Sequence, residues 1–141
     1  YKRQLLSAVP SPANGLTMCA GSYGARADND LVAMIREFHE RIYFVHLRNI
    51  KREDDGSFCE SDHLDGDNDI VGIVSALLDA EQQRAGMPPG RHAIPMRPDH
   101  GHAMGEERSN KRVRPGYSYA GRMKGLAELR GVIHALTAIR K

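Results

Sequence analysis

Apolar residues recur along this chain in two alternating rhythms. Leu16-Thr-Met-Cys-Ala20 and Ile42-Tyr-Phe-Val-His-Leu47 are dense apolar runs, the second rich in the β-branched and aromatic residues that suit a strand. His92 to Met96 is a third run of this kind, weakened by Pro95, which cannot donate to a ladder. Elsewhere the apolar spacing becomes helical. Leu31, Met34, Ile35, Phe38 and Ile42 share one face, with Arg36, Glu37, Glu40 and Arg41 opposite. Ile70, Ile73, Val74, Leu77 and Leu78 predict a second amphipathic helix, and Met123, Leu126, Leu129, Val132, Ile133 and Leu136 a third. The Asp28-Asn-Asp30 cluster and Ser118 can accept the free amides at two of the helix starts, and Pro88-Pro-Gly90 stops the second helix soon after Arg84.

The remaining segments read as connections. Residues 1–14 hold a short amphipathic start and a proline-broken connector, and Gly21 to Asp28 reads as a loop. Asn49 to Asp69 and Arg97 to Gly116 are long polar loops, a length that compact domains usually reserve for function. The resulting order is strand, helix, strand, helix, strand, helix. With strands apolar on both faces, it predicts an α/β fold with a parallel sheet covered by helices. Right-handed crossovers then put every strand's carboxyl end on one side. An open doubly wound sheet and part of a (β/α)₈ TIM barrel both fit, but a whole barrel takes ~250 residues. The 141 residues therefore match a partial barrel of about three strand-helix units, and a chain that starts at Tyr1 in mid-pattern is expected to be a portion of something longer.

Composition narrows the function classes. At 40% hydrophobic and 27% charged, the chain reads as one globular unit, and its formal charge of +2 is spread rather than gathered with aromatics. No nucleic-acid groove is indicated, and the cluster Lys111-Arg-Val-Arg114 reads as a solvated loop. No window approaches the ~20 apolar residues of a membrane span, so no membrane partner is expected and a cytoplasmic location is. Cys19 and Cys59 are too few for a disulfide framework.

Each apolar run ends near a metal-capable side chain. Cys19, His46 and Asp99 offer a thiolate, an imidazole and a carboxylate, a mixed set that suits a first-row transition ion better than calcium or magnesium. The alternatives are a buried apolar cysteine and a core histidine bonded to a backbone carbonyl. Asp99 stands apart, because a carboxylate directly after an apolar strand has a burial cost that a cation would offset. Arg48 and Arg97, just past two strand ends, either grip a substrate carboxylate in two-pronged fashion or pair with loop acids. Tyr117 is either a proton-transfer group or an aromatic wedge in its loop. His63, with Asp62 and Asp65, either closes over a site or is merely solvated.

Seven segments together resemble the carboxyl-terminal part of the mannonate dehydratase family. They are Met18-Cys-Ala-Gly21, Arg26-Ala-Asp-Asn-Asp-Leu31, Phe44-Val-His-Leu-Arg48, Ser61-Asp-His-Leu-Asp-Gly-Asp67, Ile94-Pro-Met-Arg-Pro-Asp-His-Gly-His102, Pro115-Gly-Tyr117 and Gly121-Arg-Met-Lys-Gly-Leu-Ala-Glu-Leu-Arg-Gly131. The resemblance implies a (β/α)₈ barrel that dehydrates the sugar acid D-mannonate to 2-dehydro-3-deoxy-D-gluconate in glucuronate catabolism, using Mn²⁺ or Fe²⁺. It implies Cys19, His46 and Asp99 as metal ligands and His100 and Tyr117 as catalytic groups near the reacting carbons; Arg48, Arg97 and His63, from their places past the strand ends and in the long loop, are expected to bind the substrate. It further implies a homo-oligomer at full length, with another histidine ligand and a substrate-binding arginine supplied by earlier strands. Rival readings are a metal-dependent sugar isomerase or hydrolase on the same barrel, or an inactive barrel fragment that needs its amino-terminal part.

Overall fold

A computed structural model describes residues 1–140. Helix α1 (Lys2–Ala8) opens the chain and buries Leu6. Strand β1 (Leu16–Cys19) follows, then the short helix α2 (Ala20–Gly24) and helix α3 (Leu31–Phe38). A single 3₁₀ turn, His39–Arg41, leads straight into β2 (Ile42–Leu47). An antiparallel hairpin of β3 (Ile50–Arg52) and β4 (Phe58–Glu60) precedes α4 (Ile70–Gln83), and β5 (Met96–Pro98) and α5 (Tyr119–Ile139) complete the order.

Strands β1, β2 and β5 form one parallel sheet with β2 in the middle, so the expected α/β architecture with a small parallel sheet is present. The apolar runs fill its centre: Met18, Ile35, Ile42, Val45, Leu47, Ile73, Val74, Leu77, Ile94 and Leu129 make one buried cluster between sheet and helices. Side-chain caps set the helix starts. Asp30 accepts from the Ala33 amide, Asp69 from Gly72 and Ser118 from Gly121 at 2.8–2.9 Å. At the other end of α4 the buried Arg84 donates to the carbonyls of His39 and Ile42, which ties the helix terminus to the start of β2.

Four expectations change. The third strand begins at Met96, not His92. Pro95 lacks an N–H but its carbonyl accepts from Val45 at 2.9 Å, and the ladder runs on from there as Val45 with Met96, His46 with Arg97 and Leu47 with Pro98. Upstream, the Ile94 amide is drawn to the Glu81 side chain of α4 at 2.7 Å, which holds that segment off the sheet. The first strand stops at Cys19, and the helix Ala20–Gly24 takes up its expected last residue and the first part of the expected loop. The loop after Asn49 contains the β3–β4 hairpin, closed by Gly56 at φ +85° with the Glu53 amide bonded to Ser57 at 2.9 Å. Met123 is exposed and does not join the apolar face of α5.

Helix α5 packs through glycines instead. Gly121 and Gly125 are buried, and a Cβ on Gly121 would overlap the backbone around Gly101 and His102. This close approach fixes the start of α5 against the segment leaving β5. Gly121→Ala is therefore expected to destabilise the protein by about 1–3 kcal/mol through overpacking against backbone. Gly131→Ala on the same helix meets nothing within 4 Å and should be neutral or stabilising. Urea midpoints of the two variants check the contrast, and equal midpoints would remove the glycine contact from the account.

Candidate metal centre

The parallel register assembles the site. Cys19 lies opposite His46 across the β1–β2 ladder, and His46 lies opposite Arg97 across β2–β5. Asp99 comes two residues after Arg97 and so returns to the same side of the backbone. One ligand atom each from Cys19, His46 and Asp99 lie within 4.8 Å of one another. Among the described residues this is the one His/Cys/Asp/Glu group gathered so closely. His46 Nδ1 stands 3.4 Å from Asp99 Oδ2, and the Asp99 side chain is 11% exposed.

These residues fit a first-row ion. Ligand atoms about 2.0–2.3 Å from a shared ion sit roughly 3–4.5 Å apart, so the gathering needs little closure. His46 faces a carboxylate rather than the backbone carbonyl that a core histidine would seek. Cys19 is half-buried and accepts from the Ser22 hydroxyl at 3.2 Å, a polar setting for a thiol taken as an apolar filler.

Around this group runs a charged and aromatic rim. His100 follows Asp99, with Nε2 at 3.6 Å from Asp99 Oδ2 and Nδ1 at 3.0 Å from Glu60 Oε1. The Tyr117 ring stacks at a tilt on His100, 4.9 Å between centroids, and its own side is open to solvent at 55% exposure. A bridge pairs Gly101 with Tyr117, and the Gly101 amide bonds the Gly116 carbonyl at 2.9 Å, which brings the loop before α5 back to the strand end.

Arg48 pairs with Glu60 through both carboxylate oxygens, one at 3.0 Å from Nε. That bonding, more than burial opposes it, raises the guanidinium above its usual range, and the Cys19 sulfur adds a smaller attraction. A Cβ on Gly21 would stand 2.5 Å from Arg48 Cδ, so glycine there admits the side chain. The loop-acid pairing foreseen for Arg48 is thus present, on a partly buried rim. Arg97 is 54% exposed, donates to Asp99 Oδ1 at 3.0 Å and lies over the Phe44 ring, which in turn meets His46 edge-on.

His63 is placed differently from either sequence reading. It is 3% exposed, packed where a Cβ on Gly125 of α5 would overlap its ring, and Nε2 has no hydrogen-bond partner. Burial pushes its pKa down, against the attraction of Glu128 and Asp62. Asp62 is held by Lys124 at 2.6 Å, which lowers its carboxyl below the usual range.

Sequence reasoning did not single out Glu60. In a segment with many acids nothing in the local pattern marks it. Asn49 was likewise unremarked. Its amide donates to the carbonyls of His63 and Asn68 and its oxygen accepts from the Ile50 and Asn68 amides, all within 2.9–3.1 Å, so it pins the base of the hairpin beside β2.

A small parallel α/β sheet with a thiol, an imidazole and a carboxylate gathered at its carboxyl rim defines a candidate cation-binding unit. The profile of D-mannonate dehydratase (UxuA) matches residues 1–141, and the chain belongs to that family. It is 68% identical over 139 residues to a mannonate dehydratase of Saccharophagus degradans, covering 99% of this chain and 35% of that protein. It is 58% identical over 135 residues to mannonate dehydratase 2 of Agrobacterium fabrum, covering 95% and 33%. Against a mannonate dehydratase of a Marinomonas species the identity is 56% over 129 residues. The chain spans about a third of the length of the curated relatives it matches.

The buried state of His63 predicts a pH dependence. The unfolded residue takes up a proton near its ordinary value of 6.5, whereas the folded ring resists one. The unfolded state therefore binds more protons as pH falls, so stability present above ~6.5 is lost as pH drops toward the depressed folded value. Urea midpoints measured across this range should fall less steeply for His63→Gln than for the natural chain. Parallel slopes would show that His63 does not carry the effect.

Proposed function

We propose that the native gene product containing this chain is a metal-dependent mannonate dehydratase, removing water from D-mannonate to give 2-dehydro-3-deoxy-D-gluconate. The observation that carries the reading is the gathering of Cys19, His46 and Asp99 within 4.8 Å, beside the His100–Tyr117 pair, in a chain of this family. We further propose that the sheet is part of a (β/α)₈ barrel. The two outer strands, β1 and β5, have no second strand neighbour among the described residues, which suits continuation of the sheet on either side. A cytoplasmic location and a homo-oligomeric full-length enzyme go with the same reading. No helix among the described residues is long and apolar enough to cross a membrane.

Cys19, His46 and Asp99 would hold Mn²⁺ or Fe²⁺. Such an ion, when bound, supplies positive charge where negative charge develops on the substrate carboxylate. Arg48 is proposed to add a second cation there. Its Nε edge is taken by Glu60, and a guanidinium has five donors, so its remaining edge is available to a carboxylate. Arg97 is proposed to help from the exposed side of the rim, whereas His63, expected to bind substrate, is buried against α5 and has no open face toward one.

Dehydration needs a proton removed from the carbon next to the carboxylate and another delivered to the departing hydroxyl. His100 and Tyr117 lie against one another, which suits a pair that shares these duties. The isomerase or hydrolase reading rests on the ligand cluster alone, while the family match favours dehydration.

In the native gene product, D-mannonate should be dehydrated and neutral sugars left untouched. Tyr117→Phe is expected to lower turnover by ~10²-fold or more with metal content unchanged. Asp99→Asn should instead lower bound metal per chain, measured directly by elemental analysis. Normal turnover in the first variant would remove Tyr117 from the chemistry, and full metal content in the second would remove Asp99 from the ligand set.

A further inference from the structure

A cavity of about 210 Å³ lies at the other end of the sheet from the candidate metal centre, where the start of β2 meets the connector before β1 and the segment before β5. Its walls include Pro12, Tyr43, Gly90, Pro95 and two arginines, Arg84 and Arg91, and no acid lines it. Arg84 is 1% exposed, and its Nη groups donate to the carbonyls of His39, Ile42 and Arg91. Its buried Nε has no hydrogen-bond partner. Neither arginine joins an ion pair among the described residues.

Burial, and then the neighbouring Arg91 charge, push the Arg84 guanidinium below its usual range, against weaker attraction from Tyr43, Glu81 and Glu40. Neither glutamate lines the cavity, and Glu81 accepts from the Ile94 amide. A buried cation without a counter-ion is unfavourable, and an anion beside it offsets that cost. The walls are held in place by their own contacts. The Tyr43 hydroxyl donates to the Pro12 carbonyl and accepts from Arg91, whose guanidinium carbon lies 4.9 Å from the centre of the Tyr43 ring. Arg41 fastens the same connector through the carbonyls of Ser11 and Asn14 at 2.6–2.9 Å. A guanidinium has five donors, so Arg91 keeps an edge for a two-pronged contact after its bond to Tyr43.

We propose that this cavity binds a small doubly charged oxyanion, either inorganic phosphate or the phosphate end of a phosphomonoester, with Arg91 on its oxygens and Arg84 supplying charge from the wall. Two adjacent cations attract a dianion more strongly than a single carboxylate. An anion held there joins the connector, β2 and the segment before β5, and so stabilises the folded chain. The assignment is independent of the dehydratase reading.

The test uses the native gene product containing this sequence, at its natural metal content. Inorganic phosphate, glycerol 3-phosphate and acetate are titrated separately by calorimetry, and urea midpoints are measured with and without phosphate. Phosphate should bind and raise the midpoint. Arg91→Ala should weaken that binding by ~10-fold or more, and Arg91→Gln, which keeps the reach of the side chain without its charge, should do the same. Either variant that folds, judged by circular dichroism, decides the matter. Tighter binding of the ester supports an organic phosphate as the ligand, and tighter binding of inorganic phosphate supports the free ion. No phosphate binding at ~10 mM overturns the proposal. So does binding that is undiminished in the folded variant, which places phosphate elsewhere on the protein. Acetate bound as tightly as phosphate overturns the assignment to a dianion.

Discussion

The register of three short parallel strands is the constraint on which the site depends. A parallel ladder fixes which residues stand side by side, and here it sets Cys19 beside His46 and His46 beside Arg97. A shift of one residue in either ladder turns one of these side chains to the opposite face, because side chains alternate with period two. Val45 and Leu47, buried on the face of β2 opposite His46, oppose such a slip, since it would put Phe44 and His46 in their place. Packing and chemistry are thus specified by the same alternation.

Around the sheet, the site is finished by pieces that are not strands of it. The β3–β4 hairpin leaves β2 immediately after Arg48 and returns Glu60 to the same residue. Asn49 holds that excursion at its base with four hydrogen bonds, the full capacity of one side-chain amide. On the other flank the glycine contact between α5 and the Gly101–His102 backbone sets where the loop carrying Tyr117 must land. Charge on the rim is therefore organised by backbone geometry on both sides.

Much of this was legible in the sequence. The dense runs at Leu16 and Ile42, the helical spacing from Ile70, and Ser118 as a cap all follow from local pattern, and local pattern is what forms them. The strand near Pro95 was displaced because its boundary is decided by partners far away, the Val45 amide and the Glu81 carboxylate. The hairpin escaped notice because its strands are three residues each and largely exposed, leaving no apolar alternation to read. The resemblance pointed to Cys19, His46 and Asp99, whose closeness no sequence spacing shows, since they come from the ends of two strands and the residue just past a third. Glu60 was hidden for a related reason: an acid among acids acquires meaning only from the side chains opposite it.

The proline that ends β5 has a further consequence. In the register with β2, Pro95 and Arg97 turn their backbone groups to β2 and Pro98 turns its own outward, so the open edge of β5 lacks one amide donor, and an outer strand with a full set of donors is a template for stray pairing. A strand added at that edge must match a ladder with a gap at a fixed place. Pro98 thus guards the edge against promiscuous self-association, while leaving room for a neighbour of the right register.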